Sequence, residues 1–66
     1  MERLTYNTKQ AVEYLGINRS LLDSFRKNGI IRAIKVGRYY LYPEDELKRF
    51  VYDNLDREIT KDGVII

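Results

Sequence analysis

Two short amphipathic stretches separated only by Gly16-Ile17-Asn18 constrain this chain more than any other feature. The first opens with Asn7 and Gln10 at the spacing of a capping box, with Tyr6 one position before the cap. Ala11, Tyr14 and Leu15 then recur at helical spacing with Val12 beside them, and Gly16 supplies a left-handed stop. The expected helix covers residues 8–15, too short to persist without partners. A second helix is expected from the cap Asn18 through to Asn28, with Leu21, Leu22 and Phe25 on one side and Gly29 ending it. A three-residue link does not let two helices lie antiparallel comfortably. It suits a helix-turn-helix, with Ile17 tucked between the helices.

The period then changes. Ile34, Val36, Tyr40 and Tyr42 are apolar at alternate positions on either side of Gly37-Arg38-Tyr39, which reads as a β-hairpin. A two-residue Gly37-Arg38 loop would put Val36 and Tyr39 on one face and Tyr40 and Tyr42 on the other. A three-residue loop keeps all four apolar side chains on the buried face and is the expected form. Pro43 opens a third helix, with Glu44, Asp45 and Glu46 in its first turn, where the helix dipole favours negative charge. Leu47, Phe50, Val51 and Leu55 continue its apolar stripe, and the helix is expected to end between Asn54 and Glu58. The resulting fold class is α+β: a small winged helix-turn-helix, three helices with a β-hairpin wing between helices two and three. Residues 1–58 form the domain. Residues 59–66 form a short tail ending in Val64-Ile65-Ile66.

Composition narrows the function. At 44% hydrophobic and 33% charged, the 66 residues are neither disordered nor membranous, and no apolar run is long enough to span a bilayer. No signal peptide is legible at the start. The absence of Cys removes disulfides and thiolate metal sites and suits a reducing, cytoplasmic setting. The absence of His removes the commonest general base and the commonest zinc ligand. Glu44-Asp45-Glu46 is explained by helix-start electrostatics rather than by a metal. An enzyme, a metal site, a cofactor and a small-molecule substrate are therefore not expected.

Charge supplies the positive signal. Residues 1–43 carry eight Lys and Arg against three Asp and Glu, a balance of +5, while residues 44–66 carry four against seven, a balance of −3. Arg19, Arg26, Lys27, Arg32, Lys35 and Arg38 lie between the start of helix two and the wing tip, opposed only by Asp23. A basic front of this shape points to double-stranded DNA. Helix two can enter a major groove about 12 Å wide with its first turn nearest the base edges. Arg19 and Ser20 occupy that turn, and an Arg paired with guanine discriminates by about 1–3 kcal/mol. Asp23, one turn on, either accepts from cytosine or orients Arg19 or Lys27 through an intrahelical ion pair. Ser24 faces backbone or solvent. Arg26 and Lys27 either hold phosphates or complement the helix C-terminus. Arg38 at the wing tip is the leading candidate for a phosphate or a narrow minor groove, backed by Lys35. Thr8 and Lys9 bring the start of helix one to phosphate. Tyr39, exposed beside the wing, can donate to phosphate, while Tyr14, Tyr40 and Tyr42 are expected in the core rather than in a stacking platform.

The same residues carry a resemblance. The run from Tyr6-Asn7-Thr8-Lys9-Gln10-Ala11 through Tyr14-Leu15-Gly16-Ile17-Asn18-Arg19-Ser20 resembles the opening of excisionase-type, MerR-like DNA-binding domains. Asn28-Gly29-Ile30-Ile31, Lys35-Val36-Gly37-Arg38 and Tyr42-Pro43 match that family in order and spacing, over roughly residues 4–52. The resemblance implies a small phage or mobile-element protein that binds DNA cooperatively, bends it and directs an integrase toward excision. The alternative it leaves open is a compact MerR-like transcription regulator. Full MerR-type regulators add a long dimerisation helix and an effector domain, for which this length leaves no room. Asp23, Tyr39 and Leu41 stand where the family commonly has basic or, at the first position, basic or tyrosine residues. Fewer phosphate contacts and reliance on neighbouring molecules along the DNA are expected. An acidic third helix against the basic face of the next molecule gives head-to-tail self-association. In a different class, an adaptor or anti-repressor would use the acidic helix and apolar tail to bind a repressor or other protein.

Overall fold

Asn7 folds as its spacing predicts: its Oδ1 accepts the Gln10 N–H at 2.8 Å, and Gln10 Oε1 accepts the Asn7 N–H at 3.1 Å. In the computed structural model, which describes residues 4–60, this box launches the first of three helices. The elements run β1 (Thr5–Tyr6), α1 (Thr8–Leu15), α2 (Arg19–Lys27), β2 (Ile34–Val36), β3 (Tyr39–Pro43) and α3 (Glu44–Asp53). Gly16 ends α1 at φ +72°, its N–H donating to the Val12 carbonyl at 2.8 Å. The Asn18 side chain accepts from Leu21 N–H at 2.8 Å and starts α2. The expected small α+β winged helix-turn-helix is present.

The sheet is antiparallel, in the order β1-β3-β2. β1 was not anticipated, because two residues before a cap carry no periodicity. It pairs Thr5 with Pro43 and Tyr6 with Tyr42, and Leu4 accepts the Glu44 N–H at 2.9 Å. Tyr6 also donates its hydroxyl to Glu44 Oε2 at 2.7 Å, so the start of the chain is tied to the start of α3. That hydrogen bond, with Lys48 beside it, lowers the Glu44 pKa.

The hairpin corrects the expected loop. Val36 pairs with Tyr39, Lys35 with Tyr40 and Ile34 with Leu41, leaving only Gly37-Arg38 between the strands. Gly37 has φ +61° and Arg38 does not, the arrangement of a type II′ turn, whose twist matches that of the strands. The one-residue difference sends Ile34 and Val36 to the outer face, about half exposed, while Tyr42 is fully buried on the inner face. Turn geometry therefore outweighed the burial of two more side chains.

The core is Ala11, Leu22, Phe25, Ile31, Tyr42 and Leu47, flanked by Ile17, Leu21, Phe50 and Ile59 among others. Phe25 and Phe50 meet with ring centroids 5.4 Å apart, which fastens α2 to α3. Tyr14, expected in the core, lies on the surface and stacks on Tyr6 at 5.1 Å. Val51 and Leu55, expected on the buried stripe of helix three, are exposed: Leu55 lies beyond the end of α3 at Asp53, and of the stripe's apolar residues α3 turns only Leu47 and Phe50 inward. The tail residues 61–66 lie outside the described residues.

Glu46 departs most from its expected role as a helix-start charge. It is 8% exposed and accepts from the Arg32 backbone N–H at 3.1 Å, from the Arg32 guanidinium, and from Arg49 Nε at 3.1 Å and Nη2. Arg49 Nη2 also donates to the Ile30 carbonyl at 2.8 Å. These donors, Arg49 first, outweigh desolvation and hold the Glu46 carboxyl at about 2. Because that value lies below the unfolded one, the stability it contributes is present above the unfolded pKa and is lost as pH falls toward 2. Glu46→Gln should cost about 2 kcal/mol at neutral pH and lower the melting temperature by about 10 °C. Melting curves between pH 7 and 2 should show the wild type losing its advantage over the variant only in the acid range.

Candidate nucleic-acid interface

The N-terminus of α1, the exposed side of α2 and the tip of the wing surround one groove. Asn7, Thr8, Lys9 and Val12 line it from α1, Arg19, Asp23 and Arg26 from α2, and Arg38, Tyr39 and Tyr40 from the hairpin. Seven of the eleven residues singled out from the sequence, Thr8, Lys9, Arg19, Asp23, Arg26, Arg38 and Tyr39, therefore share one concave surface. Ser20 and Lys27 lie exposed on α2, Ser24 is half-buried there, and Lys35 is exposed on β2; none of these four lines the groove.

Local folding explains these positions. Helices leave their first amides without intrahelical acceptors, and Thr8 and Lys9 at the start of α1 bring the positive end of its dipole to the groove wall. The Asn18 cap puts Arg19 and Ser20 in the first turn of α2. The tight turn puts Arg38 at the tip of the wing, with Tyr39, 72% exposed, one position inside it. Four cations, Lys9, Arg19, Arg26 and Arg38, face the groove against the single carboxylate of Asp23. A field of that sign attracts a polyanion.

Three expectations about the basic residues change. Asp23 pairs with Arg19 at 3.8 Å and with Arg26 at 3.6 Å, not with Lys27. Residues at i−4 and i+3 share its helix face. Arg26 is not a free cation near the helix end. Its side chain is 18% exposed, and its guanidinium lies 3.9 Å over the centre of the Tyr40 ring, a cation–π contact that joins α2 to the wing. Arg32, counted with the basic front, is drawn away from it to Glu46. Beneath the groove the Tyr42 hydroxyl is fully buried, and burial pushes its pKa up. Arg26 and Thr8 lie near enough to oppose that shift, although neither meets hydrogen-bond geometry with it.

Tyr40 and Asn7 are groove residues that sequence reasoning assigned elsewhere, to the core and to a cap. Their alternation and capping signals were real, and neither signal reports which outer surface a half-buried residue borders.

Residues 5–53 match the helix-turn-helix domain family, across the whole span from β1 to α3. The chain belongs to that family. It is the family associated with excisionase-type DNA-binding domains, and a helix-turn-helix domain of this kind binds DNA in a sequence-specific manner. No curated protein and no solved structure is significantly similar to the chain. Among the described residues, no helix is long and apolar enough to cross a membrane, and no group of ligating side chains could hold a metal ion.

The helix-turn-helix geometry separates two arginines that look alike in the sequence. Arg26→Ala removes a half-buried stack and an ion pair and should lower stability by about 1–2 kcal/mol. Arg38→Ala removes an exposed side chain and should change stability by less than about 0.5 kcal/mol. Urea midpoints of the two variants, at equal slope, would show the difference.

Proposed function

We propose that this helix-turn-helix protein is an excisionase-like architectural factor that binds adjacent sites on duplex DNA cooperatively, bends the DNA and biases an integrase toward excision. The observation that supports the reading best is the single basic groove shared by the α1 N-terminus, α2 and the wing tip. A convex duplex laid across it meets a helix in one groove and a hairpin tip beside it, the docking mode of this motif. In this reading Arg19 and Ser20 face base edges from the first turn of α2, Asp23 orients Arg19, and Ser24 faces backbone or solvent. Thr8, Lys9, Arg26, Lys27, Lys35 and Arg38 hold phosphates, with Tyr39 donating beside the wing. The protein works in the cytoplasm, where DNA and integrase are both at hand.

Family membership supports the excisionase role, and charge supports the assembly. Asp45 on α3 is exposed, as are Asp56 and Glu58 beyond it, and an acidic surface complements the basic groove of a neighbouring molecule. Glu46 is a poor probe of that contact, since it is buried and its loss lowers stability as well as changing the charge. Asp45→Lys is the suitable charge reversal.

Fluorescence anisotropy on a random-sequence duplex, titrated with salt, tests the DNA reading. Log affinity should fall linearly with log salt, and Arg38→Ala should reduce the slope by about 1. No binding at low salt, or a slope indifferent to Arg38, would favour a protein-binding adaptor. On a duplex bearing adjacent sites, wild type should bind cooperatively and retard migration as bent DNA does, and Asp45→Lys should lose the cooperativity. One isolated inverted site without bending would favour a transcription regulator.

A further inference from the structure

Asp23 is an anomaly in its setting: a carboxylate, 35% exposed, among four cations in a groove that receives a polyanion. Next to phosphates it lowers general affinity, so its place needs another reason. Its geometry supplies one. The ion pair to Arg19 runs to Nε at 3.8 Å, and neither terminal nitrogen of that guanidinium makes a hydrogen bond among the described residues. Those two nitrogens are the pair that can donate side by side to guanine O6 and N7. On the other side Asp23 faces Arg26 Nη2 at 3.6 Å, and Arg26 is itself held flat over Tyr40 of β3 at 3.9 Å.

From these contacts we infer that Arg19, Asp23, Arg26 and Tyr40 form one relay in which the wing aims the recognition helix at a guanine. Arg19 is the base-reading residue. Asp23, Arg26 and Tyr40 are positioning residues. An Arg side chain that is 78% exposed loses considerable rotamer freedom when it is fixed on a base. A neighbouring carboxylate that already restricts it reduces that loss and favours one direction of approach. Because Arg26 is stacked on Tyr40, the position of Asp23 follows the wing. A change at Tyr40, on the strand, therefore alters base preference at the residue Arg19 reads. This inference rests on the DNA-binding reading and adds to it a specific base and a specific mechanism.

Selection from a randomised duplex library, followed by sequencing, tests the relay with wild type, Arg19→Ala, Asp23→Asn and Tyr40→Leu. Wild type should select a motif with a G·C pair at one position, and Arg19→Ala should lose that preference. Asp23→Asn and Tyr40→Leu should both weaken it on the order of tenfold at that position alone. Asp23→Asn should at the same time bind random duplex at least as tightly as wild type, which a general loss of structure would not produce. Asp23→Asn is nearly isosteric on an accessible helix face, so the test stands even if Tyr40→Leu fails to fold. An unchanged motif in Asp23→Asn, or a preference weakened equally at all positions, would overturn the relay and leave DNA binding intact. A wild type that binds duplex but selects no motif would overturn base reading altogether.

Discussion

One buried carboxylate holds this domain in the shape its groove requires. Glu46 sits in the first turn of α3, yet it takes hold of the connection between α2 and β2 through the Arg32 backbone and guanidinium. Arg49 reinforces it from the next turn and reaches the Ile30 carbonyl. At its far end the wing runs straight from β3 into α3, and at its start charge-assisted hydrogen bonds add to the packing of the buried Ile31. Such bonds are directional, so they define where the hairpin leaves the body more sharply than an apolar contact does. Glu46 is the buried member, so removing either arginine leaves its carboxylate short of partners in a poorly hydrated place.

A second polar linkage works on the opposite side of the wing. Arg26 stacks on Tyr40 and faces Asp23, so α2 meets the hairpin through a cation and a ring. The two linkages divide the basic residues into different kinds. Arg32 and Arg49 serve the scaffold, Arg26 serves the junction, and Lys9 and Arg38 are exposed and make no ion pair among the described residues. Composition counts all five as equal positive charges, although only the last two are unencumbered.

What could be read from the sequence follows the range of the forces involved. The bounds of α1 and α2, their caps and the turn between them are set by residues within four positions of one another, and they appear where the sequence predicts them. Pro43 and the acids after it likewise mark the start of α3. The failures are all nonlocal or involve competition. β1 exists because β3 offers it a partner. The hairpin register depends on turn strain at Gly37 against burial of Ile34 and Val36, and alternation alone cannot weigh the two. Glu46 looks like any other acid in a first turn until the chain returns past it. Within the groove, the residue types and their neighbourhood were legible. The pairing of Asp23 with Arg26, and the presence of a ring under that arginine, were not.

The small core has a consequence for how the protein lives in a cell. Six buried apolar side chains among the described residues are a thin reserve, and domains hold only roughly 0.05–0.15 kcal/mol per residue of net stability. Any ligand that recognises the folded chain alone adds about 2.7 kcal/mol at a hundredfold excess over its dissociation constant. For a chain of this size that addition is comparable to what the fold supplies by itself. Occupancy on DNA and resistance to unfolding are then coupled quantities.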